Sequence, residues 1–184
     1  MKKTIFLLLT LTFLYCKKES LFDSRGLYGE GSAKINGEEW IGKTGVFDAG
    51  KYCKTDSCFA IVLYKYNEFG QLRTKIVIDR IALKIGKFQF NPKPVFIKDT
   101  SYSISFGEFH DDGDVASAPH RLLTADPNYY LEIKELNNNT GDISGNFRAK
   151  LVRKDIDPSI FNGNYPDTIT IEDGKFFGKI NLRR

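Results

Sequence analysis

The sequence predicts one all-β domain, an antiparallel sandwich or barrel of about eight to nine strands. Three observations carry that expectation. Short runs rich in β-branched and aromatic residues recur along the chain, several with apolar and polar residues alternating at period two. Turn-forming clusters such as Asn36-Gly37, Asn137-Asn138-Asn139-Thr140-Gly141 and Asp173-Gly174 separate those runs. No stretch keeps the 3.6-residue apolar stripe of a major helix.

Taken in order, the chain begins with a segment that reads as an address. Lys2 and Lys3 precede the run Ile5 to Tyr15, apolar apart from two Thr, and Lys17-Lys18-Glu19-Ser20 ends it abruptly. That is an export signal's positive n-region and h-region, and it falls short of the roughly 20 apolar residues a spanning helix needs. A cysteine directly at its end, Cys16, resembles the lipobox of bacterial lipoproteins, in which the thiol of the new first residue carries lipid. The expected organisation is therefore a signal over 1–15, a lipidated Cys16 with a polar tether over 16–30, and the β-domain over 31–184. Leu21-Phe22 or Leu27-Tyr28 could alternatively pack on the domain as a first edge segment.

Within the domain, Ser32 to Ile41 surrounds Asn36-Gly37, the dipeptide of two-residue hairpin turns, because both central positions need positive φ. Cys58 to Tyr66 and Leu72 to Ile81 should pair across Asn67-Glu68-Phe69-Gly70-Gln71. Lys84 to Phe90 alternates until Asn91-Pro92-Lys93-Pro94 stops it, since proline cannot donate to a central ladder. Ser101 to Phe109 places Tyr102, Ile104 and Phe106 on one face, with Tyr129 to Leu136 as its expected partner. Asp142 to Val152 follows a hairpin loop, and Thr168 to Glu172 and Lys175 to Ile180 flank Asp173-Gly174 as a second expected hairpin. The chain has room for a short turn near Ala116 to Ala125 or Pro158 to Phe161.

Composition narrows the function classes. The 184 residues carry 27 Lys and Arg against 23 Asp and Glu, a net +4 that falls to +2 when Lys2 and Lys3 leave with the signal. Nucleic-acid binding is not indicated, because neutralising phosphates needs a clustered basic face. With 15 Phe, 9 Tyr and one Trp, the chain is also far too aromatic to be disordered. Of the three cysteines, Cys16 is assigned to lipid, which leaves Cys53 and Cys58 as a pair around four polar residues. Facing residues of an antiparallel pair lie within disulfide range, so a local bridge is expected in preference to free thiols or zinc. So short a ring would contribute only about 2 kcal/mol.

Three signatures, Ala33-Lys34-Ile35-Asn36-Gly37-Glu38-Glu39-Trp40, Gly141-Asp142-Ile143-Ser144-Gly145-Asn146-Phe147 and Ile171-Glu172-Asp173-Gly174-Lys175-Phe176, resemble a family of Bacteroidota lipoproteins of unknown function. The resemblance covers about residues 31 to 180. It implies a β-rich, lipocalin-like or sandwich domain tethered to the cell envelope, and it supplies no catalytic residues; the expected location of the anchor is the outer membrane. Each signature residue also has a structural reading: Trp40 as a core anchor, Gly145 as a close approach to an aromatic neighbour, Asn36 and Asp173 as turn residues.

The densest polar constellation is Glu108-Phe109-His110-Asp111-Asp112-Gly113-Asp114. His110, Asp111, Asp112 and Asp114 could hold Ca²⁺ or a transition metal, but the full EF-hand spacing is absent, and a solvated loop is the expectation. His110 or His120 could each serve some serine as base, yet no nucleophile-elbow or His-Glu-x-x-His motif appears. No cofactor is expected. A ligand surface is instead sought among Trp40, Tyr64, Tyr66, Tyr129 and Tyr130, whose rings combine large contact area with a polar tip. The expected function is a noncatalytic module that binds a small ligand or an envelope protein. The alternative is a metal-dependent enzyme using the 108–114 loop.

Overall fold

The protein is described here from a computed structural model, which describes residues 26–49, 58–92, 102–110, 115–153 and 166–180. Cys16, Cys53, Asp111, Asp112, Asp114 and the segment from Pro158 to Phe161 lie outside the described residues. Ten strands are present among the described residues: β1 (Gly29–Ile35), β2 (Glu38–Asp48), β3 (Cys58–Tyr66), β4 (Leu72–Ala82), β5 (Gly86–Gln89), β6 (Ser103–His110), β7 (Val115–Arg121), β8 (Tyr130–Leu136), β9 (Asp142–Arg153) and β10 (Thr168–Lys179). The strands run β10-β1-β2-β3-β4-β6-β7-β9, and β9 pairs again with β10, so these eight close into an antiparallel barrel. β8 pairs with the first half of β9, and β5 pairs with β8. The all-β expectation resolves into a lipocalin-like barrel rather than a sandwich, and closure leaves the ring without a free edge along most of its length.

Register shows how steeply the strands tilt. From Arg153 the pairing passes through His120, Phe106, Ile76, Leu63, Thr44 and Gly29. It then crosses β10 at Gly178 and reaches β9 again at Ile143, about ten residues earlier. An eight-stranded ring with that stagger has an interior that side chains can fill. The inward row includes Ile61, Leu63, Ile76, Ile78, Leu131, Leu151, Ile169 and Ile171, none of them measurably exposed. Glycines make room for larger side chains. A Cβ on Gly42 would lie 2.5 Å from the Trp40 indole, and one on Gly31 would lie 2.1 Å from Leu63.

Local chemistry accounts for the turns. Asn36 (φ 51°) and Gly37 (φ 88°) both take the left-handed conformation that the two-residue hairpin demands. The Asn36 carboxamide oxygen also accepts from Thr170 N–H at 2.8 Å, which ties the turn to β10. Asn67 closes the β3–β4 loop by accepting from Phe69 N–H and Gln71 N–H, and Asn137 does the same for Asn139 N–H and Thr140 N–H before β9.

Three sequence expectations are corrected. Ser101 to Phe109 was expected to pair with Tyr129 to Leu136, but β6 pairs with β4 and β7, while β8 lies between β9 and β5. The cause is β7 itself, which the sequence suggests only as a turn because it reads Val-Ala-Ser-Ala-Pro-His-Arg. Pro119 is tolerated because the β6–β7 register shifts there, so its missing N–H interrupts no regular ladder. Finally, Asp173-Gly174 makes no hairpin. β10 runs unbroken through it, and Glu172 and Asp173 together face Arg148 as a bulge, with Asp173 at φ 51°.

The chain ahead of β1 is partly engaged. Leu27 is buried, in reach of a Cβ on Gly45, whereas Tyr28 is exposed.

Candidate functional site

The bulge shapes the surface beside it. Bending β10 at Asp173-Gly174 creates a groove of about 630 Å³ across β2, β1, β10, β9 and β8. Its exposed walls are Lys34, Glu39, Ile41, Arg148, Asp173 and Lys175, and Trp40, Phe147 and Gly174 contribute from the buried side. Tyr130 closes one margin, its ring capped by the Lys87 ammonium 3.9 Å from the centroid.

Charges of both signs alternate across the strands. Lys34 donates to Asp173 at 2.8 Å, and Arg148 donates to Glu172 at 2.9 Å. The Lys34 ammonium holds the Asp173 carboxyl below its ordinary range, and Asp173 in turn raises Lys34. Both groups are exposed, so these pairs orient side chains more than they stabilise the fold. Glu39 and Lys175 add one further charge of each sign, and Ser32 and Asn146 add neutral hydrogen-bonding groups. The result is a polar recess with little net charge.

The five aromatic residues expected to form a ligand surface do not converge. Trp40 is 4 % exposed and donates from Nε1 to Thr74 Oγ1 at 2.7 Å, so it is a core anchor that only borders the groove. Tyr130 lines the same groove from its far side. Tyr64 and Tyr66 lie together on β3 with ring centroids 6.1 Å apart, and Tyr129 packs against the core. The charged residues that build the groove were missed. Their signal was there in the opposite charges at outward positions of the strands carrying Asn36-Gly37, Gly145 and Gly174, but it becomes a site only once β1, β9 and β10 are known to be neighbours.

Of the 108–114 constellation, Glu108 and His110 are placed on β6. Glu108 continues the inward alternation of Ile104 and Phe106 and is aligned with Thr74, near one end of the barrel. Burial raises its pKa above the ordinary value. The folded protein therefore binds this proton more tightly than the unfolded chain does, so the associated stability is fully present below the unfolded pKa and lost as pH rises through the folded one. Glu108→Gln should then raise the urea midpoint at pH 7.5 and leave it unchanged near pH 3.5. An equal shift at both pH values would refute the desolvation account. No cluster of three or more His, Cys, Asp or Glu able to hold a metal occurs among the described residues.

His120 is enclosed within the barrel. Its Nε2–H donates to Pro166 O at 2.8 Å, its ring meets Phe106 edge-on, and its buried Nδ1 has no hydrogen-bond partner among the described residues. With Nε2–H held this way, the ring's lone pair is on the enclosed Nδ1. Cys58, at the start of β3, is buried, and its backbone oxygen accepts from Ala49 N–H at 3.0 Å, which fixes the ends of the 50–57 connection.

Comparison with known protein families, curated proteins and solved structures finds no match to this chain.

Proposed function

We propose that this chain is a lipid-anchored protein of the bacterial cell envelope, and that its barrel is a noncatalytic module binding a polar ligand, or a polar segment of an envelope protein, in the β10-bulge groove. The groove carries this reading. It is concave, open to solvent, lined by hydrogen-bonding groups of both signs and edged by Tyr130. The inward-facing positions, where a lipocalin-like protein would seat an apolar ligand, are occupied by closely packed Ile, Leu and Phe side chains. Specificity in such a recess would come from the placement of its polar groups rather than from apolar burial.

Anchoring follows from Cys16 at the end of the apolar run. Each buried CH₂ contributes about 0.8 kcal/mol, so two or three acyl chains hold a protein at a bilayer where one does not. Cys16→Ala is expected to move the protein from the membrane fraction to the soluble fraction. Unchanged fractionation would show that the cysteine carries no anchor.

Binding is tested by thermal shift of the full chain against oligosaccharides, short charged peptides and fatty acids. A polar compound should raise the melting temperature, and Arg148→Ala together with Lys175→Ala should weaken its binding at least tenfold. The reading fails if only fatty acids stabilise the protein. It also fails, in favour of the metal-dependent alternative, if calcium or zinc stabilises it and EDTA reverses the effect.

A further inference from the structure

The end of the barrel at which the chain enters carries exposed apolar side chains that the fold does not use. Tyr28, Phe177 and Ile85 are 54 %, 50 % and 61 % exposed. Phe177 and Ile85 line a second groove of about 520 Å³, together with Leu136. Glu30 pairs with Phe177 across β1 and β10, which puts Tyr28, two residues earlier on the same outward row, diagonal to the Phe177 ring. The chain enters at this place: a Cβ on Gly29 would lie 1.9 Å from the Phe177 carbonyl oxygen. From Cys16 to Gly26 there are ten residues, which reach at most about 36 Å when fully extended.

We infer that this patch is the membrane-facing surface of the barrel, and that Tyr28, Phe177 and Ile85 rest in the interfacial layer of the bilayer to which Cys16 is attached. The inference rests on the lipid-anchor reading above. A short tether leaving from the patch itself keeps that patch closer to the bilayer than any other part of the barrel. Tyr and Phe suit the interface, where one side of a ring can be apolar and the other wet. The rim carries both signs, Lys134 and Lys179 beside Glu135 and Asp142, so the contact is apolar rather than electrostatic and needs no anionic lipid. Seated this way, the barrel directs its Asn36-Gly37 end, and the β10-bulge groove with it, away from the bilayer.

Full-length lipidated protein is reconstituted into phosphatidylcholine vesicles with and without brominated acyl chains, and tryptophan emission is compared. The one native tryptophan, Trp40, is enclosed in the barrel and supplies a constant baseline. Phe177→Trp and Ile85→Trp should each add emission that brominated lipid quenches at least twofold, at low and at high salt alike. Phe69→Trp, in the β3–β4 loop at the far end and 74 % exposed, should add emission that is not quenched. If the protein sediments with vesicles but position 177 is quenched no more than position 69, the docking is overturned and the anchor stands. If the protein does not sediment with vesicles, the anchor falls and the docking falls with it. Emission from Phe177→Trp that shifts to the blue with protein concentration before vesicles are added would assign the patch to a second copy of the chain and likewise overturn the docking.

Discussion

Trp40→Ala is expected to remove about 3 to 5 kcal/mol of folding stability, the usual cost of truncating a buried aromatic side chain. The indole faces the interior from β2, 4 % exposed, with its benzo edge against Gly42, and its Nε1–H reaches across β3 to the Thr74 hydroxyl on β4. Truncation would open a cavity over Gly42 and deprive Thr74 of its donor. Trp40→Phe separates the two contributions. It keeps most of the volume and should cost about 1 to 2 kcal/mol, chiefly for the lost hydrogen bond and partial cavity. For a domain whose total stability is on the order of 5 to 15 kcal/mol, the alanine variant loses a large fraction. Urea unfolding followed by far-UV circular dichroism measures both, since Trp40 is also the only intrinsic tryptophan probe. A loss under 1 kcal/mol for Trp40→Ala would show that the indole is a surface platform, and the groove it borders would then deserve a larger aromatic role.

Much of the barrel was legible because its turns depend on single residues. Asn36-Gly37 specified a hairpin by conformation alone, and the β-branched and aromatic residues of Cys58 to Tyr66 and Leu72 to Ile81 match the strands and their pairing. The errors arose where one local pattern serves two structures. Asp-Gly supplies a left-handed residue followed by a glycine, which a hairpin and a bulge both require. Only the neighbours of β10 decide between them: with β1 paired to it from Ile171 to Phe177 and β9 from Thr168 to Lys179, the strand cannot fold back on itself at Asp173-Gly174. The small residues of β7 carry little period-two contrast, so the sequence offers β8 as the nearest partner for β6 although β7 lies beside it. The groove was least legible, because its side chains come from five strands whose adjacency depends on barrel closure between the first and last of them.

The last signature makes the other large prediction, and it turns on a reciprocal arrangement between β9 and β10. Both strands contain Gly-x-Phe, and the antiparallel register sets Phe147 directly opposite Gly174 and Phe176 directly opposite Gly145. Each ring lies over the glycine facing it: a Cβ on Gly174 would be 2.8 Å from the Phe147 ring, and one on Gly145 would be 2.8 Å from the Phe176 ring. An aromatic covering a cross-strand glycine recovers burial that the glycine itself cannot supply. Gly145 is the tighter of the two, because its Cβ would also come within 2.0 Å of the Glu132 carbonyl oxygen. That atom belongs to the backbone of β8 and cannot rotate away. Gly145→Ala should therefore separate β8 from β9, displace Phe176, and cost about 3 kcal/mol or more, at the upper end of overpacking effects. Gly107→Ala is the matched control, since its Cβ would meet only the Phe109 ring, at an ordinary 3.6 Å, and should change stability by less than about 0.5 kcal/mol. Denaturant midpoints for the two variants decide the matter. If Gly145→Ala were as stable as Gly107→Ala, the close β8–β9 approach would be wrong, and with it the register that brings Tyr130 to the margin of the groove.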